Sequence, residues 1–154
     1  MSLNDLIAQD AIIAMLKASS KKQVIQEMAE KAARITDLPS RTIFDQLLQR
    51  ERLGSTGIGH GIAIPHARVP GITRLTGVFA RLDKPIDFDA VDDEPVDLVF
   101  MLMAPEGEGA DHLKALARIA RVLRDPVNTG KIRASSDASA IYGVLNAPTT
   151  SNAA

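Results

Sequence analysis

Three histidines and no cysteine are present in 154 residues, so imidazole is the first group to consider for chemistry near neutral pH. Its ordinary pKa near 6.5 lets it serve as nucleophile, base or metal ligand. Two of the three, His60 and His66, fall in the stretch Arg50 to Arg68, RERLGSTGIGHGIAIPHAR. Pro65 has no N–H to give to a sheet ladder and biases Ile64 toward an extended conformation. Ile62-Ala63-Ile64 reads as a short buried strand, so His66 is expected where that strand gives out, presented by a backbone with little freedom. The plain alternative is a glycine-rich turn entering a strand, with a surface histidine behind it. Other chemistries fit less well. The glycines run G-x-G-x-G into a strand, whereas a dinucleotide site needs G-x-G-x-x-G after a strand and before a helix. No Gly-Lys-Ser/Thr of a phosphate loop occurs, and no G-x-S-x-G nucleophile elbow. His60, His66 and His112, with Asp111 nearby, reach a possible zinc ligand count, but their spacing follows no usual metal motif. No metal is expected, and His60 reads as a loop-exposed histidine.

The elements that must position these residues follow from periodicity. AIIAML, at residues 11–16, is a first strand. Ser20 followed by Gln23 reads as a capping box for a helix to about Thr36, with Val24, Ile25, Met28, Ala32 and Ile35 along one face. Pro39 opens a second helix, buried through Ile43, Phe44, Leu47 and Leu48 and stopped at Gly54. Arg50 and Arg52 lie in its last turn, where cations suit the helix dipole. LTGVFARL, residues 75–82, is a strand, and Ile86 to Phe88 is expected to pair briefly. VDLVFMLM, residues 96–103, is apolar without alternation and suits a central strand covered on both faces. A helix from about Ala110 to Arg124 is expected to bury Leu113, Leu116, Ala117, Ala120 and Leu123, with His112 in its first turn. That end of a helix disfavours a second positive charge, so a neutral His112 imidazole is expected. Asp125-Pro126 breaks it. Two shorter helices follow at 127–134 and 136–145, the second capped by Ser135 or Ser136.

One string carries far more specificity than the glycines alone: Glu51, six residues, Ile58-Gly59, two residues, then Ile62-Ala63-Ile64-Pro65-His66-Ala67. It resembles the type 2 IIA components of the bacterial phosphotransferase system, the fructose/mannitol class, and most of all their stand-alone nitrogen-regulatory branch. The similarity continues through DLVFML and Asp111-His112-Leu113. It implies that His66 is a phosphoryl acceptor, through Nε2, and that Arg50 and His112 support the transfer in one shallow depression. The donor would be a small HPr-like phosphocarrier protein. Regulatory targets such as transporters or sensor kinases would then be switched by phosphorylation. The alternative is a sugar-specific component that passes the group to a IIB domain. Such a transfer needs a neutral imidazole whose other nitrogen is held as N–H by a backbone carbonyl or a carboxylate. In-line transfer spreads charge over three equatorial oxygens, so positioning and electrostatics do most of the work. The Arg50 guanidinium pairs well with phosphate. Backbone N–H groups of the Ser55 to Gly61 loop, Gly57 among them, could form a nest for the oxygens, with the Ser55 and Thr56 hydroxyls donating as well.

Composition agrees with a small α/β domain. The apolar share is 45% and the net charge −1, enough core for one domain and no general attraction for nucleic acid. The N-terminus lacks the basic-then-apolar order of a secretory signal, and no apolar run reaches membrane-spanning length. A cytoplasmic protein without cofactor or membrane insertion is expected. A three-layer α/β/α sandwich with a central mixed sheet is expected over residues 1–146, with a disordered tail at 147–154.

Overall fold

The computed structural model describes residues 3–107 and 109–147. Its strands are β1 (Ile12–Leu16), β2 (Gly57–Gly59), β3 (Ile62–Ala63), β4 (His66–Arg68), β5 (Thr76–Ile86) and β6 (Val96–Ala104). The helices are α1 (Lys21–Thr36), α2 (Ser40–Leu53), α3 (Ala110–Arg124), α4 (Pro126–Arg133) and α5 (Ala138–Leu145). The sheet runs β1-β5-β6-β3-β2, with β4 also on β6. It is mixed: β1 is parallel to β5, β5 antiparallel to β6, and β3 and β4 both parallel to β6. Along β6 both alternating sets, Leu98, Phe100 and Leu102 on one face and Val99, Met101 and Met103 on the other, are buried. A strand without alternation must be covered twice. The covers are α1 and α2, which pack on each other and on β5 and β4, and the linked group α3, α4 and α5, which reaches β6 and β1. The three-layer α/β sandwich read from the sequence is the observed fold.

Local signals set the helix ends. Ser20 accepts from the Gln23 N–H, and the Gln23 side chain accepts in return from the Ser19 N–H at 2.9 Å. Asp37 closes α1 in the left-handed region at φ 60°. Pro39 occupies the N-cap of α2 and Gly54 its C-cap. Asp125 caps α4 and Asp137 caps α5, each accepting from the N–H two residues on; Ser135 and Ser136, expected in that role, lie before the helix.

Three expectations are corrected. His66 does not sit beyond the sheet. The Pro65 carbonyl accepts from Leu102 N–H at 2.9 Å, and His66 pairs with Leu102. Proline withholds only its own N–H, so the chain resumes on β6 one residue later. β5 also runs on through Pro85 to Ile86, because a register shift between Arg81 and Ile86 absorbs the missing donor. In α3 the buried face is Ala115, Ile119, Val122 and Leu123, while Leu113 is 71% exposed. Of the expected tail, residues 148–154 lie outside the described residues.

Candidate functional site

His66 stands at the start of β4, half-buried, with Nδ1 2.8 Å from the Ile64 carbonyl oxygen. A carbonyl only accepts, so this nitrogen carries the proton and donates. Nε2 is left with the lone pair. Burial pushes the His66 pKa below its ordinary 6.5; the bond to Ile64 opposes this, Arg50 adds to the lowering and Glu51 raises it. The ring is therefore neutral at pH 7 and nucleophilic at one defined atom.

Two elements bring further side chains to the depression beside the ring. The last turn of α2 contributes Arg50, whose Nη1 donates to the Gly54 carbonyl at 2.9 Å, spending one of five N–H donors. The first turn of α3 contributes His112, whose ring meets the His66 ring edge-on, centroids 5.5 Å apart and planes at 82°. Arg50, His66, Arg68 and His112 line one open depression of about 650 Å³, with Leu53 and Leu113 also in its wall. Its chemistry is a neutral nucleophilic nitrogen, fixed cations and an apolar rim, which suits a transferable anionic group carried by a macromolecule. Among the described residues no cluster of His, Cys, Asp and Glu could hold a metal ion.

The other sequence candidates lie elsewhere. Ser55, Thr56 and Gly57 do not line the depression. Ser55 Oγ donates to the Phe88 carbonyl at 2.7 Å and accepts from Gly57 N–H at 3.0 Å. Thr56 is buried and gives both its N–H, at 2.8 Å, and its hydroxyl to the Glu51 carboxylate. These donors are bonded within the protein, and the structure does not bring the three into the depression lined by His66, where phosphate contacts were expected of them. His60 is exposed at the β2–β3 turn, with φ of 57° beside Gly61 at 81°, and is absent from the lining. Glu51, missing from the sequence candidates except as the first letter of the motif, is 5% exposed and paired with Lys21 at 2.9 Å. An acid near the C-terminal end of a helix, where the dipole disfavours it, was the available signal.

Comparison with known proteins gives the family and the fold. Residues 5–147 match the family model described as phosphoenolpyruvate-dependent sugar phosphotransferase system, EIIA 2. A nitrogen regulatory protein of Bradyrhizobium diazoefficiens is 58% identical over 148 residues, 96% of this chain and 97% of that protein. The crystal structure of nitrogen regulatory protein IIA-Ntr from Neisseria meningitidis superposes with a TM-score of 0.88 at 33% identity, covering 93% of this chain and 98% of that one. The mannitol IIA enzyme of Escherichia coli, solved in complex with phosphorylated IIB, shares the fold with a TM-score of 0.76 at 20% identity, covering 91% and 98%.

Proposed function

This chain belongs to the EIIA type 2 family of the phosphoenolpyruvate-dependent sugar phosphotransferase system, and from that premise we propose that His66 accepts a phosphoryl group and that the charged state regulates partner proteins. The observation that carries the reading is the bond from His66 Nδ1 to the Ile64 carbonyl, because it leaves Nε2 unprotonated and aimed by the backbone. Nε2 attacks the phosphorus of a phosphohistidine on an HPr-like carrier. A new N–P bond forms as the donor N–P bond breaks, and the departing imidazole keeps the electron pair. Arg50 neutralises charge on the equatorial oxygens, and His112 steadies them from the side facing α3. No cofactor or metal is needed, since each partner brings its own imidazole. The protein then acts as a stoichiometric relay. A cytoplasmic location goes with a donor charged from phosphoenolpyruvate, a metabolite of the cell interior.

The regulatory role is favoured over a sugar-specific one by the 58% identity to a nitrogen regulatory protein. A transporter or a sensor kinase is the kind of target expected, read through the charge that phosphorylation adds to the depression. Incubation with phosphoenolpyruvate, enzyme I and the carrier, followed by intact mass measurement, tests the reading. One acid-labile phosphoryl group should appear, vanish in His66→Ala and persist in His60→Ala. Labelling that survives in His66→Ala overturns the assignment.

A further inference from the structure

We propose that Glu51 is a positioning residue for this transfer: through Thr56 and Ile64 it fixes the carbonyl that holds His66 Nδ1–H, and so it aims Nε2. The inference rests on His66 as acceptor.

Glu51 is placed against its own electrostatic interest. It is 5% exposed, and burying a carboxylate is costly unless it is paired and hydrogen-bonded. It also lies in the last turn of α2, where the helix dipole disfavours an acid. Three donors offset these costs: Thr56 N–H at 2.8 Å, the Thr56 hydroxyl, and Lys21 Nζ at 2.9 Å. Two of the three come from one residue, so Thr56 is gripped by both its main chain and its side chain.

From Thr56 the grip passes along the backbone. The Thr56 carbonyl accepts from Ile64 N–H at 3.0 Å, and the Ile64 carbonyl accepts from His66 Nδ1–H at 2.8 Å. Thr56 and Ile64 thus each have both backbone groups bound within one chain of contacts. Arg50 and Glu51 are neighbours on one helical turn: the first lines the depression, and the second holds the loop behind the ring. One helix end therefore sets both the phosphate-facing cation and the tilt of the nucleophile. Small errors in aim matter, since a displacement of about 1 Å can cost roughly 10²-fold in rate.

The test compares Glu51→Ala and Glu51→Gln on two readouts. Two-bond ¹H–¹⁵N spectra of the unphosphorylated protein report which ring nitrogen of His66 carries the proton. Transfer rates from the phosphorylated carrier report aim. Wild type should show Nδ1–H. Glu51→Ala should populate the Nε2–H form and transfer on the order of 10–10²-fold more slowly. Glu51→Gln keeps an acceptor for Thr56 and should restore the tautomer and most of the rate. A folded Glu51→Ala protein with the wild-type tautomer and rate overturns the proposal. If that variant fails to fold, Thr56→Val decides on the same readouts: it removes the hydroxyl bond to Glu51, a mixed tautomer with slower transfer supports the proposal, and no change in either overturns it. Absence of labelling on wild-type His66 would instead remove the acceptor assignment, and the tautomer spectra would still judge the contact chain.

Discussion

In the proposed transfer the two nitrogens of His66 have divided duties, and the division predicts a pH response. Nδ1 must stay protonated to hold Ile64, while Nε2 must stay bare to attack. Burial first, and Arg50 after it, press the ring toward neutrality. Its titration midpoint, followed by NMR, should therefore lie below 6.5, and phosphoryl acceptance should fall off only at pH values beneath that. Arg50→Ala should raise the midpoint, because a lowering charge is gone, and should slow transfer by about 10–10²-fold through lost oxygen contacts. A midpoint unmoved by Arg50→Ala would separate the guanidinium from the ring. The same shift has a sign for stability. The unfolded chain binds this proton more tightly than the fold does, so protonation favours unfolding once pH falls below the unfolded value of about 6.5. The contribution is intact above about pH 6.5 and is lost as pH drops through the folded value. At this scale much was legible: the Pro-His pair, Arg50 and His112 come together as the motif implied. Glu51 was not legible as a positioning group, because its meaning depends on Lys21, far upstream in the chain, and on a loop whose donors turn inward.

At the scale of elements, α3 explains both what could be read and what could not. Apolar residues surround most of that helix, so spacing alone allows two stripes. Leu113, Leu116, Ala117 and Ala120 form as good a period as Ala115, Ile119 and Val122. The core takes the second stripe, leaving Leu113 71% exposed; across the depression, at the end of α2, Leu53 is 85% exposed. Apolar side chains kept in water beside a reactive imidazole suit a protein donor that covers them during transfer. Leu113→Asp should raise KM for the phosphorylated carrier at least about 10-fold while leaving thermal stability near wild type; an unchanged KM would mean that the donor lands elsewhere. The strands were easier to read, since β6 is apolar apart from Asp97 and is buried on both faces, which suits the middle of a sheet. Close packing there is strict. A Cβ on Gly77 would lie 2.6 Å from Phe100 Cε1 and 2.9 Å from Cζ, and Phe100 is fully buried. Gly77→Ala should cost about 1–3 kcal/mol, seen as a lower denaturant midpoint at constant slope. Wild-type stability would show that the ring can yield.

For the whole molecule, the question is how one phosphoryl group could change what partners sense. The net charge is −1, and a phosphoryl group at pH 7 adds about −1.5 to −2. The group would arrive in a depression walled by Arg50, Arg68 and His112. Beneath it, β4 is paired to β6, the strand buried on both faces. Packed cores deform little, and the ring is tied to the backbone by Nδ1 rather than by the atom that reacts. The added charge should therefore alter the local surface and leave the sheet as it is. At the other end of β6, Arg133 in α4 forks onto Asp97 at 2.8 and 2.9 Å and also donates to the His60 carbonyl, pinning the β2–β3 turn to α4. We expect ¹H–¹⁵N amide spectra of the phosphorylated protein to change around the ends of α2, α3 and β4 and to stay nearly constant in β1, α4 and α5. The melting temperature should move by only a few degrees, as a surface charge change of about 1 kcal/mol would give. Partners would then discriminate the two states by electrostatic fit at the depression. Widespread shifts reaching β1 and α5 would instead require a second conformation of the sheet.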